Sequence, residues 1–271
     1  MKLSIVTLSF NQGKFLEEAI LSIINQKDVV VEYIVVDPGS TDGSRQIIEK
    51  YRNIVKHIIY EPDKGPSDGL NKGFSMATGD IFGYVNADDI LLPFTLCKVA
   101  RYFTGHPEID VISGHGYVIN EKNEVIQKIF SHKLSSKKFH LKRFTTGYSV
   151  LMQPSTFFTK SIYQKTNGFD LNYRIMWDAA IAVDFALKGA RFKVVDDYWS
   201  SFRVYSESIT GSGAHQDEKS KGVFNNLQKR AGIKPLTNKE SQFVRILGWV
   251  TQPKLLLLRL LDNIVHPKRI I

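Results

Sequence analysis

The 271-residue sequence contains a single cysteine, Cys97. A disulfide framework is thereby excluded, and no Cys/His spacing resembles a zinc site. No apolar run approaches the roughly 20 residues that a membrane span requires. The N-terminal stretch MKLSIVTLSFNQ meets polar residues too early to read as a signal peptide. No Gly-x-Gly-x-x-Gly follows the first apolar run, and no Gly-x-x-x-x-Gly-Lys-Ser/Thr occurs anywhere. Gly65, Gly69 and Gly73, spaced by four, fit neither pattern. Dinucleotide-dependent dehydrogenases and P-loop enzymes are therefore disfavoured. Repeats and low-complexity segments are also missing. What remains, 43% hydrophobic and 23% charged residues, suits a globular chain with one large domain or two intimate halves.

Lys and Arg number 36 against 27 Asp and Glu, a formal charge of +9. The surplus sits at one end. From Gln216 onward, eleven Lys/Arg face four Asp/Glu, which leaves the first 215 residues with only +2. A nucleic-acid-binding body is excluded by that near-neutrality, whereas a basic tail is suited to an anionic surface.

The first ninety residues alternate between two hydrophobic periods. Leu3–Leu8, Val29–Val36, Lys56–Tyr60 and Asp80–Val85 read as short buried strands, with helices between them over Phe15–Ile24, Ser44–Tyr51 and Asp68–Ala77. Such a βαβαβαβ pattern predicts an open, mostly parallel sheet with helices on both faces. Ligands bind those sheets at the carboxyl ends of the strands. Here three strands deliver polar residues to that edge: Thr7, Ser9 and Asn11; Asp37; and Asn86, Asp88 and Asp89. The pattern points to a nucleotide pocket. Further on, the expectations are a helix over Thr95–Phe103, a strand over Asp110–Ser113, a hairpin at Asn120–Asn123 and a strand over Ser155–Phe158. A helix over Asp178–Lys188 and a strand over Phe192–Val195 follow. Ser131–Thr146 is basic and reads as loop or short helices near the site.

Without a glycine-rich phosphate loop, a nucleotide must be neutralised by other means, and a divalent metal held by Asp is the obvious one. Asn86-Ala87-Asp88-Asp89 supplies oxygen donors for Mg²⁺ or Mn²⁺, with alternate residues facing one ligand. The competing reading is an Asp pair capping the following turn.

Five segments in order, SIVTLSFNQGKFLEEAILSIINQ, IVVDPGSTDGS, EPDKGPSDGLNKGFSMATGDIFGYVNADD, GFD and MWDAAIAVDFALKG, resemble the family 2 glycosyltransferases across roughly residues 1–210. The resemblance implies an α/β fold of the GT-A type, a mostly parallel central sheet flanked by helices, with a helical C-terminal tail. It divides the chain into a nucleotide-sugar-binding half (1–105), an acceptor-binding half of the same domain (106–215) and a basic extension (216–271). It implies an inverting hexosyltransferase that moves a sugar from a nucleoside-diphosphate donor to a saccharide or lipid-linked acceptor in surface-polysaccharide synthesis. UDP is the default nucleotide, with GDP and dTDP open.

Roles follow position by position. Thr7, Ser9, Asn11 and Asp37 would hold the nucleoside, with Gly39 in the turn after Asp37. Asp68 lies near the expected diphosphate. Leu70 stands where many relatives carry Arg, so Lys72 becomes a candidate cation there. Asn86 and Ala87 belong to the donor site, Asp88 matches the direct metal ligand and Asp89 a supporting one. Asp178 matches the general base, with Trp177 beside it as a sugar-stacking or core residue. Arg203 is a candidate for the diphosphate, and Tyr205 stands where relatives have a His. Asp42, Asp170 and Asp184 read as structural, and Asn71 reads equally as a local structural residue or a ligand. The leucine-rich 254–269 segment either lies on an anionic membrane or packs on the body, placing the protein in the cytoplasm or on the inner face of the cytoplasmic membrane. The rival functions are a nucleotidyltransferase and a non-catalytic sugar- or membrane-binding module. The oligomeric state is not legible.

Overall fold

The computed structural model describes residues 1–133, 137–146, 150–213 and 218–267. Strands β1 (Lys2–Leu8), β2 (Val30–Val36), β3 (His57–Ile59) and β4 (Ile81–Tyr84) run parallel in the order β3-β2-β1-β4. Helices α1 (Gly13–Ile24), α2 (Ser44–Lys50) and α3 (Pro66–Met76) make the crossovers. Helix α1 puts Leu16, Ile20 and Ile23, at helical spacing, into one core with Leu3, Ile5 and Val35. On the other face Leu70 and Phe74 of α3 pack on Val6, Ile34 and Val36. The four-residue glycine spacing has its explanation here. A Cβ at Gly73 would stand 2.6 Å from Val6 Cγ1, so glycine lets α3 approach the sheet.

The second half adds β5 (Ile90–Leu91), α4 (Thr95–Gly105), β6 (Val111–Ile119), β7 (Val125–Ile129), α5 (Lys137–Phe144), β8 (Thr156–Thr159), α6 (Lys160–Gln164), α7 (Trp177–Leu187) and β9 (Phe192–Arg203). Among the described residues the sheet has nine strands, continuing from β4 through β8, β6 and β9 to β5, with β7 on β6. The long β6/β9 ladder is parallel, whereas β8, β5 and β7 pair antiparallel. Both β6 and β9 are far longer than their sequence patterns suggest. Small residues are the reason: a Cβ at Gly114 would lie 2.6 Å from Trp199 Cδ2, so the glycine that weakens the strand signal makes room for a buried indole. The hairpin at Asn120–Asn123 is as expected, closed by Asn120 N–H to Glu124 O.

The tail forms α8 (Glu218–Arg230), α9 (Asn238–Val250) and α10 (Pro253–Val265), and it lies on the body. Leu227 is buried with Tyr173 and Ala180, and Arg230 bridges Asp170 and Asp184. Asp262 accepts the Lys128 N–H of β7 at 3.0 Å, and Lys254 pairs with Asp196. The two tail readings from the sequence are thus not exclusive, because the outer faces of α9 and α10 still expose Phe243, Ile246, Val250, Leu257, Leu260 and Ile264. No helix of the described residues is long and apolar enough to cross a membrane. Parts of Ser131–Thr146, the 216 boundary, and Lys268 and Arg269 lie outside the described residues.

Candidate active site

The parallel strands end level, with Leu8 opposite Val36 in the β1/β2 register. The chains beyond them stay fastened: Ser9 N–H donates to Val36 O, Asp37 N–H to Ile59 O and Ala87 N–H to Leu8 O. Asp37 is fully buried. Its Oδ1 accepts the N–H groups of Gly39 and Ser40 and Nε of Arg45, while Oδ2 and the Ser9 Oγ have no hydrogen-bond partner. Asn11, held at φ 52°, accepts the Thr41 N–H at 2.8 Å and donates its own N–H to Ser40 Oγ. Asp42 shapes the same turn by accepting from Gly13 N and Ser44. Thr7, one residue before the end of β1, stays outside the cleft lining, with its hydroxyl accepting from Tyr33 OH inside the core.

Beyond β4, the Asn86–Asp89 turn splits its two carboxylates. Asp88 faces a cleft, where Tyr205 OH donates to Oδ2 at 3.3 Å and Gln12 Nε2 in turn donates to that phenol at 3.2 Å. Burial pushes the Asp88 carboxyl up to about 6, against the lowering effect of its hydrogen bonds and of Arg203. Asp89 turns inward, fully buried. It accepts the Arg203 N–H and the Asn86 amide, and burial with the adjacent Asp88 charge raises its carboxyl well above the ordinary range. Arg203 is only 1% exposed and its donors are spent on the frame. Nε goes to Asp88 O, Nη1 to Asn120 O and Nη2 to Glu18, with the guanidinium over the Phe15 ring. It is a clamp on the carboxylate turn. The Ala87 side chain also belongs to the core.

Asp178 enters from the opposite wall. The chain turns into α7 through Met176 at φ 60°, a strained conformation for a residue with a Cβ. Asp178 thus stands in the first turn of the helix, and burial raises its carboxyl despite the Ala179 N–H that bonds it. Asp88 and Asp178 line one cleft of about 960 Å³. Ser9, Asn11, Asn86, Trp177 and Arg203 share that lining. Gln12, Gln153, Phe202 and Tyr205 share it too, and only Tyr205 among these four carries a signal in the sequence, as the exception to a pattern. Gln153 joins the walls, since its Oε1 accepts from Asn86 and its Nε2 donates to Tyr84 O.

Two expected diphosphate contacts are absent from that lining. Asp68 accepts the Lys64 N–H at the start of α3, and Lys72 turns to Pro62 O and to Asp68 itself. Both are engaged with the segment that leads into α3. Asn71, for which the sequence leaves both a structural and a ligand reading open, holds Phe169 through both backbone groups and Tyr163 OH.

Residues 4–166 match the model of glycosyl transferase family 2. The cholesterol galactosyltransferase of Borreliella burgdorferi is 26% identical over 254 residues, covering 86% of this chain and 69% of that protein. Residues 1–349 of Staphylococcus aureus TarS, solved with UDP-GlcNAc, superpose with a TM-score of 0.66 at 19% identity over 90% of this chain and 70% of that one. The Pyrobaculum calidifontis mannosyltransferase PcManGT, solved with GDP-Man and Mn²⁺, gives 0.63 at 15% identity over 92% of this chain and 70% of that one. At such identities the two structures attest the GT-A fold. The family model spans well over half of the chain, which therefore belongs to glycosyl transferase family 2 and is a glycosyltransferase.

Proposed function

We propose that this chain is an inverting, metal-dependent transferase that takes a sugar from a nucleoside-diphosphate donor. The observation that carries the reading is the charge of the cleft. Among the described residues its lining includes six carboxylates (Asp42, Asp63, Asp88, Glu121, Asp178 and Glu207) but only Lys14 and Arg203 as cations. Lys14 is paired with Glu121 and Arg203 with Glu18. A diphosphate cannot enter such a site without a cation of its own. Asp88 fits that cation, since it is the carboxylate of the Asn86–Asp89 turn that lines the cleft, with Asn86 beside it. Among the described residues no group of three or more His, Cys, Asp or Glu could hold a metal alone. The donor diphosphate would therefore complete the coordination. Bound there, Mn²⁺ or Mg²⁺ would neutralise the charge that develops on the leaving diphosphate. Asp89 supports this turn from beneath and does not face the ion.

On the nucleoside side, the partnerless Asp37 Oδ2 and Ser9 Oγ are acceptors near the strand ends, suited to a base imide or ribose hydroxyls. The solved neighbours bind UDP-GlcNAc and GDP-Man, and UDP is the donor nucleotide we favour. Asp178 receives the acceptor proton. The freed oxygen attacks C1 from the side opposite the leaving group, the C1–O bond to the diphosphate breaks, and the electron pair departs with it. A carboxylate made more basic by burial suits the task. The acceptor is a saccharide or lipid-linked saccharide, reached from the inner membrane face through the apolar side of α10. Thermal protection by UDP-, GDP- and dTDP-sugars with and without Mn²⁺ tests this. Protection by one nucleotide series, present only with metal and lost in Asp88→Ala, is expected. Equal protection without metal would contradict it.

A further inference from the structure

Behind Asp178 lies a second cavity of about 220 Å³. It shares Gln153, Met176, Asp178, Phe202 and Thr210 with the large cleft, so the two spaces meet at the base. Their linings differ in kind. Away from the junction, the described wall of the smaller cavity is almost wholly apolar: Phe144, Val150 and Met152 on one side, Ile181, Ala182 and Phe185 of α7 on the other. Most of these side chains are buried in the body's own clusters. The size is sufficient for a ring system or a folded chain, since a cavity of about 150 Å³ lined by apolar side chains holds benzene.

Resting on the glycosyl-transfer reading, the geometry points to an assignment: this cavity takes an apolar group of the acceptor, attached close to the attacking hydroxyl. The donor with its cation occupies the carboxylate-lined cleft on one side of Asp178. The acceptor must place its hydroxyl against the same carboxylate without entering the donor's space, and the adjoining room is apolar. A bare sugar there would leave its hydroxyls without partners, whereas an alkyl or aryl aglycone matches the wall. The acceptor O–H proton passes to Asp178, the oxygen bonds to C1, and the C1–O bond to the diphosphate breaks with its electron pair leaving on the nucleoside diphosphate.

The test uses the full chain with Mn²⁺ and a saturating nucleoside diphosphate chosen from UDP, GDP and dTDP. Calorimetry compares n-octyl β-D-glucopyranoside, below its micelle concentration, with methyl β-D-glucopyranoside. The octyl compound is expected to bind at least tenfold more tightly. Ala182→Phe, which fills the cavity from α7, should bring the ratio close to one while nucleoside diphosphate affinity stays within twofold. Val150→Phe does the same from the facing segment and serves if the first variant melts below the assay temperature. A wild-type ratio near one, with nucleoside diphosphate bound, overturns the cavity assignment alone. A tenfold ratio that persists in a folded filled variant overturns it as well, and moves the octyl site to the exposed face of α9 and α10. Failure of all three nucleoside diphosphates to bind the wild type would instead remove the glycosyl-transfer reading beneath it.

Discussion

The two walls of the cleft are built by opposite strategies. On the donor wall, short loops follow parallel strands and are fastened within a few residues of where they leave the sheet: Asp37 by Gly39 and Ser40, Asp42 by Ser44. On the base wall, residues from positions 153, 176–178 and 202–210 meet only because β8, β6 and β9 bring them together. Arg203 joins the two, reaching from the end of β9 to the carbonyl of Asp88 and to Glu18 of α1. Local hydrogen bonds tie the loops of one wall to the sheet edge, whereas long-range strand pairing assembles the other.

The sharpest way to break this comparison is to remove chemistry from one wall only. Asp178→Asn should lower turnover by about 10³-fold or more, within the range for loss of a general base, while melting temperature changes little. Rapid-mix assays of nucleoside diphosphate release would check it. The wild-type profile should lose activity as pH falls through the raised Asp178 pKa, because the base works only when ionised. Its acid limb therefore sits above that of an unburied aspartate, and a limb at or below the ordinary aspartate value would contradict the burial argument.

Breaking the joint comes next. Arg203→Met removes a buried cation and leaves the Asp88 and Asn120 carbonyls, Asn123 and Glu18 with lost partners. The expected cost is about 1–3 kcal/mol by denaturant titration, as when buried polar groups lose their hydrogen-bond partner. A loss under about 1 kcal/mol would mean that the two walls stand independently.

Asp88→Asn should act in the reverse sense on stability. The folded protein holds this carboxyl at about 6, above its unfolded value, so its contribution to stability fades as pH rises from roughly 4 to 6. At neutral pH the metal-free amide variant should be more stable by up to about 2 kcal/mol, while the proposed role of Asp88 predicts that its metal-dependent donor binding is weakened. The smallest effect belongs to a pair the cleft excludes. Lys72→Ala, which cuts a surface contact to Asp68 at 3.7 Å, should change donor affinity by less than twofold and stability by under about 0.5 kcal/mol. A tenfold loss of donor affinity would return Lys72 to the diphosphate.

The same contrast explains what the sequence made legible. The alternating periods of the first ninety residues gave the parallel sheet and its polar edge, since burial pattern and turn residues act locally there. Asp88 and Asp178 were readable as a pair only through the order of motifs. The exact partners were not. Nothing near Thr7 signals that Tyr33 will take its hydroxyl, and nothing near Arg203 signals that its donors will close on Asp88 and Asn120. Lys72 stood out because charge shows in a sequence, whereas the neighbour that a helix register gives it, here Pro62 O and Asp68, does not. Strands β6 and β9 looked short because glycine and serine lower strand signal, although they are the residues that fit around Trp199.

The central claim is that one cleft assigns cation holding to Asp88 and proton uptake to Asp178. It is tested most directly by titrating the favoured nucleoside diphosphate into wild type, Asp88→Ala and Asp178→Asn, each with and without Mn²⁺. Metal-dependent binding should vanish in Asp88→Ala and stay within twofold of wild type in Asp178→Asn. Equal weakening in both variants, or metal-dependent binding intact in Asp88→Ala, would contradict the account.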